Sequence, residues 1–163
     1  VSNIILNVSG GCMEKIRLEQ LLPFMDEAFA AGKTFKIPIT GTSMLPLLVQ
    51  GRDYAVLKRA AGHLKIGDVP LYRRADGSFV LHRVVGFDGD NYIMCGDNQF
   101  LLEYGIGDSN IVGLACEFII DGKTVDTEAD SEYTEYKNKY TANIKTRYPL
   151  RRLKAAVRKI TGQ

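Results

Sequence analysis

The first regular pattern in the chain is helical. Between Glu14 and Ala31, apolar residues recur at intervals of three and four, which predicts an amphipathic helix. Its apolar positions are Leu18, Leu21, Leu22, Met25, Ala28 and Phe29. Pro23 is expected to kink or split this helix, and Gly32 is expected to cap its C-terminus. The segment before it, 1–13, shows no convincing period and is expected to be poorly ordered.

From Phe35 onward the pattern changes to short strand-like runs separated by turn signals. Six strands are predicted, at Phe35–Thr40, Tyr54–Arg59, Val69–Arg74, Phe79–Phe87, Tyr92–Cys95 and Ile111–Ile120. Asp-Gly pairs between the runs favour hairpin turns, because both residues tolerate positive φ. Pro70 lies inside one run, so we expect that strand at a sheet edge or bulged. The spacing indicates a compact, coiled, mainly β unit that makes one domain, 14–123, with the leading helix.

The last part of the chain, 124–163, is polar at first and then basic. The segment Thr124–Glu135 predicts a loop that leads into a helix. Between Leu150 and Ile160, apolar residues share one helical face and basic residues fill the other. The basic residues are Arg151, Arg152, Lys154, Arg158 and Lys159. Such a helix can contact an acidic membrane surface, or it can pack on its own domain with the basic face in water; the second interpretation is preferred.

Composition and charge narrow the classes of function. The 163 residues carry a net charge of +2, which is too small to indicate nucleic acid as the partner. The sequence contains no run of about 18 apolar residues, so no transmembrane helix is predicted. Three cysteines at wide spacing suit free thiols in a reducing compartment, and with only two histidines no metal site or cofactor is expected. We therefore expect a soluble protein of the cytoplasm, with peripheral membrane contact as a further option.

The most informative stretch for chemistry is the small-residue loop from Gly41 to Pro46, which follows the first predicted strand. Gly41 allows a sharp bend, and Pro46 favours an extended Leu45. A serine on such a bend, here Ser43, exposes its hydroxyl beside backbone N–H groups, which are the parts of a nucleophile and an oxyanion site. A turn in which the hydroxyl bonds its own backbone is the alternative.

Two later stretches give this loop its significance: Val80-Leu81-His82-Arg83-Val84 and Cys95-Gly96-Asp97-Asn98. In this order, with the pair Gly67-Asp68 opening a strand between them, the three stretches resemble the serine peptidase superfamily of type I signal peptidases and LexA-type self-cleaving repressors. The resemblance covers about residues 35 to 120. It implies a coiled β-sheet fold. His82 stands at the position of the base, as in the endoplasmic-reticulum and archaeal signal peptidases, which use histidine where the bacterial signal peptidases and the repressors use lysine.

The resemblance also implies roles for individual residues. Ser43 is the expected nucleophile and His82 the general base, since neutral imidazole, with a reference pKa of about 6.5, accepts a proton near neutral pH. Asp97 is the preferred acid to orient His82, with Glu103 as the alternative and a turn-capping role for Asp97 also open. Around the substrate, Thr40 or Thr42 is expected to supply an oxyanion donor, because Gly41 stands where some relatives carry a hydroxyl, and Met44 is expected near the pocket or in the core. Arg83 is expected to make a structural ion pair.

The predicted function is that of a soluble serine endopeptidase resembling signal peptidase. It is expected to cleave an extended peptide that pairs with the strand Phe35–Thr40, through a Ser43/His82 dyad or a triad with Asp97. The alternative is a peptide-binding or regulatory module of the same fold with little or no turnover. A self-cleaving repressor is the weakest interpretation, because one helix ahead of the β unit is too little for a helix-turn-helix domain.

Overall fold

The computed structural model describes residues 3–8, 12–142 and 144, and for 3–8 and 12–16 it describes the backbone course alone. The described chain is mainly β and is built on a curled antiparallel sheet, as the sequence predicts, with one helix before the strands of that sheet and one after them. The basic helix predicted for residues 150–160 lies outside the described residues.

Eleven strands and two α-helices make up the described part of the chain. The strands are β1 Asn3–Val8, β2 Cys12–Arg17, β3 Phe35–Pro38, β4 Tyr54–Lys58, β5 Pro70–Arg73, β6 Phe79–Leu81, β7 Arg83–Asp88, β8 Asn91–Cys95, β9 Glu103–Ile106, β10 Ile111–Ile120 and β11 Lys123–Asp126. The helices are α1 Leu18–Ala30 and α2 Ser131–Ala142.

The strands form three antiparallel groups. The main sheet has the order β3-β4-β10-β5-β6, and β11 pairs with the end of β10. A second sheet has the order β7-β8-β9, and β1 and β2 form a separate hairpin. Strands β3 and β6 therefore end the main sheet on its two sides, and residues of both line one cavity. The curl of the sheet thus leaves a cleft between its two terminal strands.

Helix α1 covers the main sheet with the apolar face that its sequence predicts. Leu18, Leu21, Met25 and Phe29 are buried against strand residues of the main core. Gly32 caps the helix as predicted: at φ 69° its N–H donates to the Phe29 carbonyl, and the following N–H donates to the carbonyl of residue 28. The predicted start at Glu14 is wrong, because residues 14–17 pair with β1 in the hairpin.

The predicted strands are found, but two of them differ in an informative way. The run Phe79–Phe87 is not one strand, since β6 ends at Leu81 in the main sheet and β7 begins at Arg83 in the second sheet. His82 lies at that crossing. The strand with Pro70 is internal and not at an edge, because β5 lies between β10 and β6. Proline is tolerated there as the first residue of the strand, and the register shift falls in β10.

Other elements do not follow from the sequence pattern. The β1–β2 hairpin, β9 and β11 are not predicted, and β11 occupies part of the segment Thr124–Glu135 that is expected to be a loop. The predicted helix after that loop is present as α2. Within the part of the chain that the structure describes, no helix has the length and apolar character needed to cross a membrane.

Candidate active site

The nucleophile candidate lies on a turn directly after β3. Gly41 has φ 77°, a left-handed conformation that favours glycine, and its N–H donates to the Gln50 side chain. The chain then turns through Ser43, which is half-buried and lines the cleft between β3 and β6. Met44 is buried in the core and also lines the cleft, so its position is compatible with either expectation. The predicted bend after the first strand therefore exists and faces the cleft.

The two threonines considered as oxyanion donors lie on either side of Gly41 and are both exposed. Thr40 lines the cleft. Thr42 uses its backbone carbonyl as an acceptor for the Leu45 N–H and for the Asn98 side chain. Thr40 is thus the threonine whose cleft position fits the predicted role.

His82 is buried at the crossing between the two sheets and also lines the cleft. Its two ring nitrogens face different surroundings. Nδ1 lies 2.9 Å from Oε1 of Glu103 and 3.2 Å from the Tyr72 hydroxyl. On the other side, a Cβ placed on Gly96 would lie 3.0 Å from Nε2 and 2.7 Å from the Ser43 carbonyl oxygen. Nε2 is therefore the nitrogen on the side of the Ser43 loop.

The carboxylate beside His82 is that of Glu103, the first residue of β9. Arg74 holds this carboxylate with a bidentate ion pair, with Nε at 2.7 Å from Oε2 and Nη2 on Oε1. Burial alone would raise the pKa of Glu103, but the contacts with His82 and Arg74 outweigh it and lower the pKa to about 2. An ionised carboxylate has no proton to donate, so this contact favours the tautomer with its proton on Nδ1 and its lone pair on Nε2.

Asp97, the acid preferred from the sequence, lies in a different ion pair. Both of its oxygens accept hydrogen bonds from Arg83, at 2.9 and 2.7 Å, and both side chains are fully buried. The Tyr136 hydroxyl donates a further bond of 3.0 Å to Asp97. Arg83 therefore makes the structural ion pair predicted for it, and its partner is the predicted catalytic acid. Of the two carboxylates considered, the structure brings Glu103 to His82.

The turn that carries Asp97 still belongs to the site, because it fixes the Ser43 loop. The Asn98 N–H donates to the Ser43 carbonyl at 2.7 Å, and the Asn98 side chain donates to the Thr42 carbonyl at 3.2 Å. Gly96 approaches the Ser43 carbonyl so closely that a Cβ could not be added to Gly96 without a shift of the neighbouring atoms. The small residue at this position follows from that contact and not from a special φ angle.

Two residues of the site are not identified from the sequence. Tyr72 lies in β5, and Arg74 directly follows the last residue of that strand. Their spacing of two residues places both side chains on one face of the extended chain. Burial, and then the Glu103 carboxylate, raise the pKa of Tyr72, so its hydroxyl stays protonated. The spacing of two residues in a predicted strand indicates that Tyr72 and Arg74 share a face. It does not indicate that this face meets His82.

The other histidine lies in a separate cluster. His63 is 45% exposed, stacks on Tyr92 and contacts Asp108. The Tyr92 hydroxyl donates to Asp108. Among the residues that the structure describes, no group of three or more His, Cys, Asp or Glu side chains is arranged to hold a metal ion.

Comparisons with models of protein families, with curated proteins and with solved structures give no match for this chain. The geometry of the site is therefore the basis on which its function is inferred.

Proposed function

We propose that this protein is a serine endopeptidase whose catalytic residues are Ser43, His82 and Glu103. The observation that carries the proposal is the position of His82, with Nδ1 on the Glu103 carboxylate and Nε2 towards the Ser43 loop, in a cleft that Ser43 also lines. Glu103 replaces Asp97 as the orienting acid of the sequence prediction, because Asp97 is held by Arg83. Membership of the signal peptidase and LexA-type superfamily is part of this proposal.

Each residue has a distinct role in the proposed reaction. As the Ser43 hydroxyl attacks the peptide carbonyl, Nε2 of His82 accepts its proton, and the imidazolium then donates that proton to the leaving amine. The ionised Glu103 keeps the ring in the tautomer that can accept the proton, and it stabilises the cation that forms. Water deacylates the enzyme by the same path, with His82 again acting as base.

The substrate is proposed to be an extended peptide in the cleft between the two ends of the main sheet. Strand β3 is the last strand on one side of that sheet. Ile37, Ile39 and Thr40 line the cleft together with residues of β6. A peptide that pairs with β3 would arrive at Ser43, where the strand turns into the loop. The cytoplasmic location stays a prediction from the sequence, and membrane contact of the basic C-terminal segment stays the less favoured of its two interpretations.

A serine-directed fluorophosphonate probe tests the nucleophile directly. Wild type is expected to be labelled and Ser43→Ala is not, because the probe reacts with an activated serine. Ser78→Ala is the matched control: Ser78 is half-buried and its hydroxyl is bound to Asp76, so labelling should persist. If Ser43→Ala is labelled as strongly as wild type, the proposal is refuted. If neither protein is labelled, the result favours a peptide-binding module without turnover.

Substitution of His82 tests the base. His82→Ala should lose about 10²-fold or more in the rate of peptide cleavage, because His82 is the group that accepts the serine proton in the proposed reaction. An active His82→Ala variant would assign the base to another group.

A further inference from the structure

Helix α2 presents one face of tyrosines to the buried ion pair behind the site. Tyr133, Tyr136 and Tyr140 are spaced by three and four residues and therefore share a face. The Arg83 guanidinium lies 5.7, 5.7 and 5.4 Å from their three ring centroids, which is within the range of cation–π contact. The Tyr133 hydroxyl also accepts a hydrogen bond of 3.0 Å from Arg83. This face fixes α2 to Arg83.

Two hydroxyl groups on this face reach past Arg83 to the turn of residues 96–98. The Tyr136 hydroxyl donates to Oδ2 of Asp97 at 3.0 Å, and the Tyr140 hydroxyl donates to the Gly96 carbonyl at 3.0 Å. Asp97 is fully buried and the Tyr140 contact is buried as well. Because buried carbonyl and carboxylate groups need hydrogen-bond partners, these two bonds favour one position of the turn.

The same turn holds the Ser43 loop from the other side. Asn98 binds the backbone carbonyls of Thr42 and Ser43, and Gly96 lies against both the Ser43 carbonyl and Nε2 of His82. Two hydrogen bonds in sequence therefore connect α2 to the nucleophile loop: one from a tyrosine hydroxyl to the turn, and one from Asn98 to Ser43. Tyrosine is required for the first, since phenylalanine offers the same ring without the donor.

We propose that Tyr136 and Tyr140 are positioning residues, through which α2 sets the distance between Ser43 and His82. The inference rests on the proposed function, and it goes beyond it by making α2 part of the catalytic unit. A misplacement of about 1 Å in a catalytic pair can cost about 10²-fold in rate. Loss of one hydroxyl is expected to cost roughly tenfold in kcat and to leave KM within about twofold, because β3 and β6 line the proposed peptide cleft.

The test uses Tyr140→Phe and Tyr136→Phe in the full chain, with Tyr54→Phe on β4 as the matched control. Two measurements are made on each protein: kcat and KM for peptide cleavage, and hydrogen exchange of the Asn98 amide, which donates to the Ser43 carbonyl. We expect faster Asn98 exchange and lower kcat in the two α2 variants and no change in Tyr54→Phe. The phenylalanine ring keeps the contact with Arg83, so the variants are expected to stay folded.

The outcomes separate this inference from the proposed function. Unchanged Asn98 exchange in both α2 variants overturns the inference, whatever happens to kcat. Faster exchange with unchanged kcat also overturns it, because the turn would then move without effect on the reaction. If Ser43→Ala cleaves as well as wild type, the proposed function fails, and the Asn98 exchange data still report whether α2 holds the turn.

Discussion

Replacing Glu103 by glutamine tests the central contact of the site without any assumption about substrate. The variant keeps the size and hydrogen-bonding oxygen of the side chain but removes the charge that faces His82 and Arg74. The structure predicts a loss of stability at neutral pH and a change in how stability depends on pH. Both follow from the charge of one carboxylate.

The magnitude follows from the pKa of Glu103. Burial alone would raise this pKa, but the contacts with His82 and Arg74 lower it from 4.5 to about 2. A difference of this size corresponds to about 3 kcal/mol between the two protonation states. The side chain is 20% exposed, so water screens part of the interaction, and we expect the charge to contribute about 1–2 kcal/mol to the free energy of unfolding.

The sign is set by which state binds the proton more tightly. Because the pKa of Glu103 is lower in the folded protein than in the unfolded chain, the unfolded chain takes up the proton first as the pH falls. The stabilisation is therefore fully present above about pH 4.5 and is lost as the pH falls towards 2. Glu103→Gln should thus be less stable than wild type at pH 7 and approach it in acid.

The assay is urea unfolding of wild type and Glu103→Gln at several pH values from about 7 to 3. Glu27→Gln, at an exposed carboxylate of α1, is the control and should follow the wild-type curve at constant offset. If the curves of wild type and Glu103→Gln stay parallel down to pH 3, the carboxylate is not held as described and does not fix the His82 tautomer. Peptide cleavage by Glu103→Gln should fall by about 10²- to 10⁴-fold.

Two further substitutions test the turn behind the site. Gly96→Ala places a Cβ 2.7 Å from the Ser43 carbonyl oxygen and 3.0 Å from Nε2 of His82. We therefore expect the free energy of unfolding in urea to fall by about 1–3 kcal/mol and the cleavage rate to fall at least tenfold. Cleavage at the wild-type rate would contradict the close approach. Asp97→Asn leaves the fully buried Arg83 without its carboxylate, so the free energy of unfolding in urea should fall by about 3–5 kcal/mol. A decrease of less than about 1 kcal/mol would show that the pair is not buried as the structure has it.

Local pattern was sufficient for most of the architecture. The apolar face of α1 and its cap at Gly32 depend on residues a few positions apart, and the sequence shows both. The same holds for β3, β4 and β10, whose predicted bounds agree with the structure within two residues. The division of the run Phe79–Phe87 was not visible, because both halves have the alternation of a strand and only the sheet each one joins differs.

The sequence by itself identified Ser43 and His82 as candidates for catalysis, since they stand in stretches whose residue types and order resemble a known superfamily. It could not decide which carboxylate meets His82, because Asp97 and Glu103 are close in the chain and both are acids. The tertiary structure decided this through residues distant in sequence: Arg74, directly after β5, holds Glu103, whereas Arg83 and Tyr136 of α2 hold Asp97. Electrostatic pairing across sheets acts through space, and spacing along the chain does not record it.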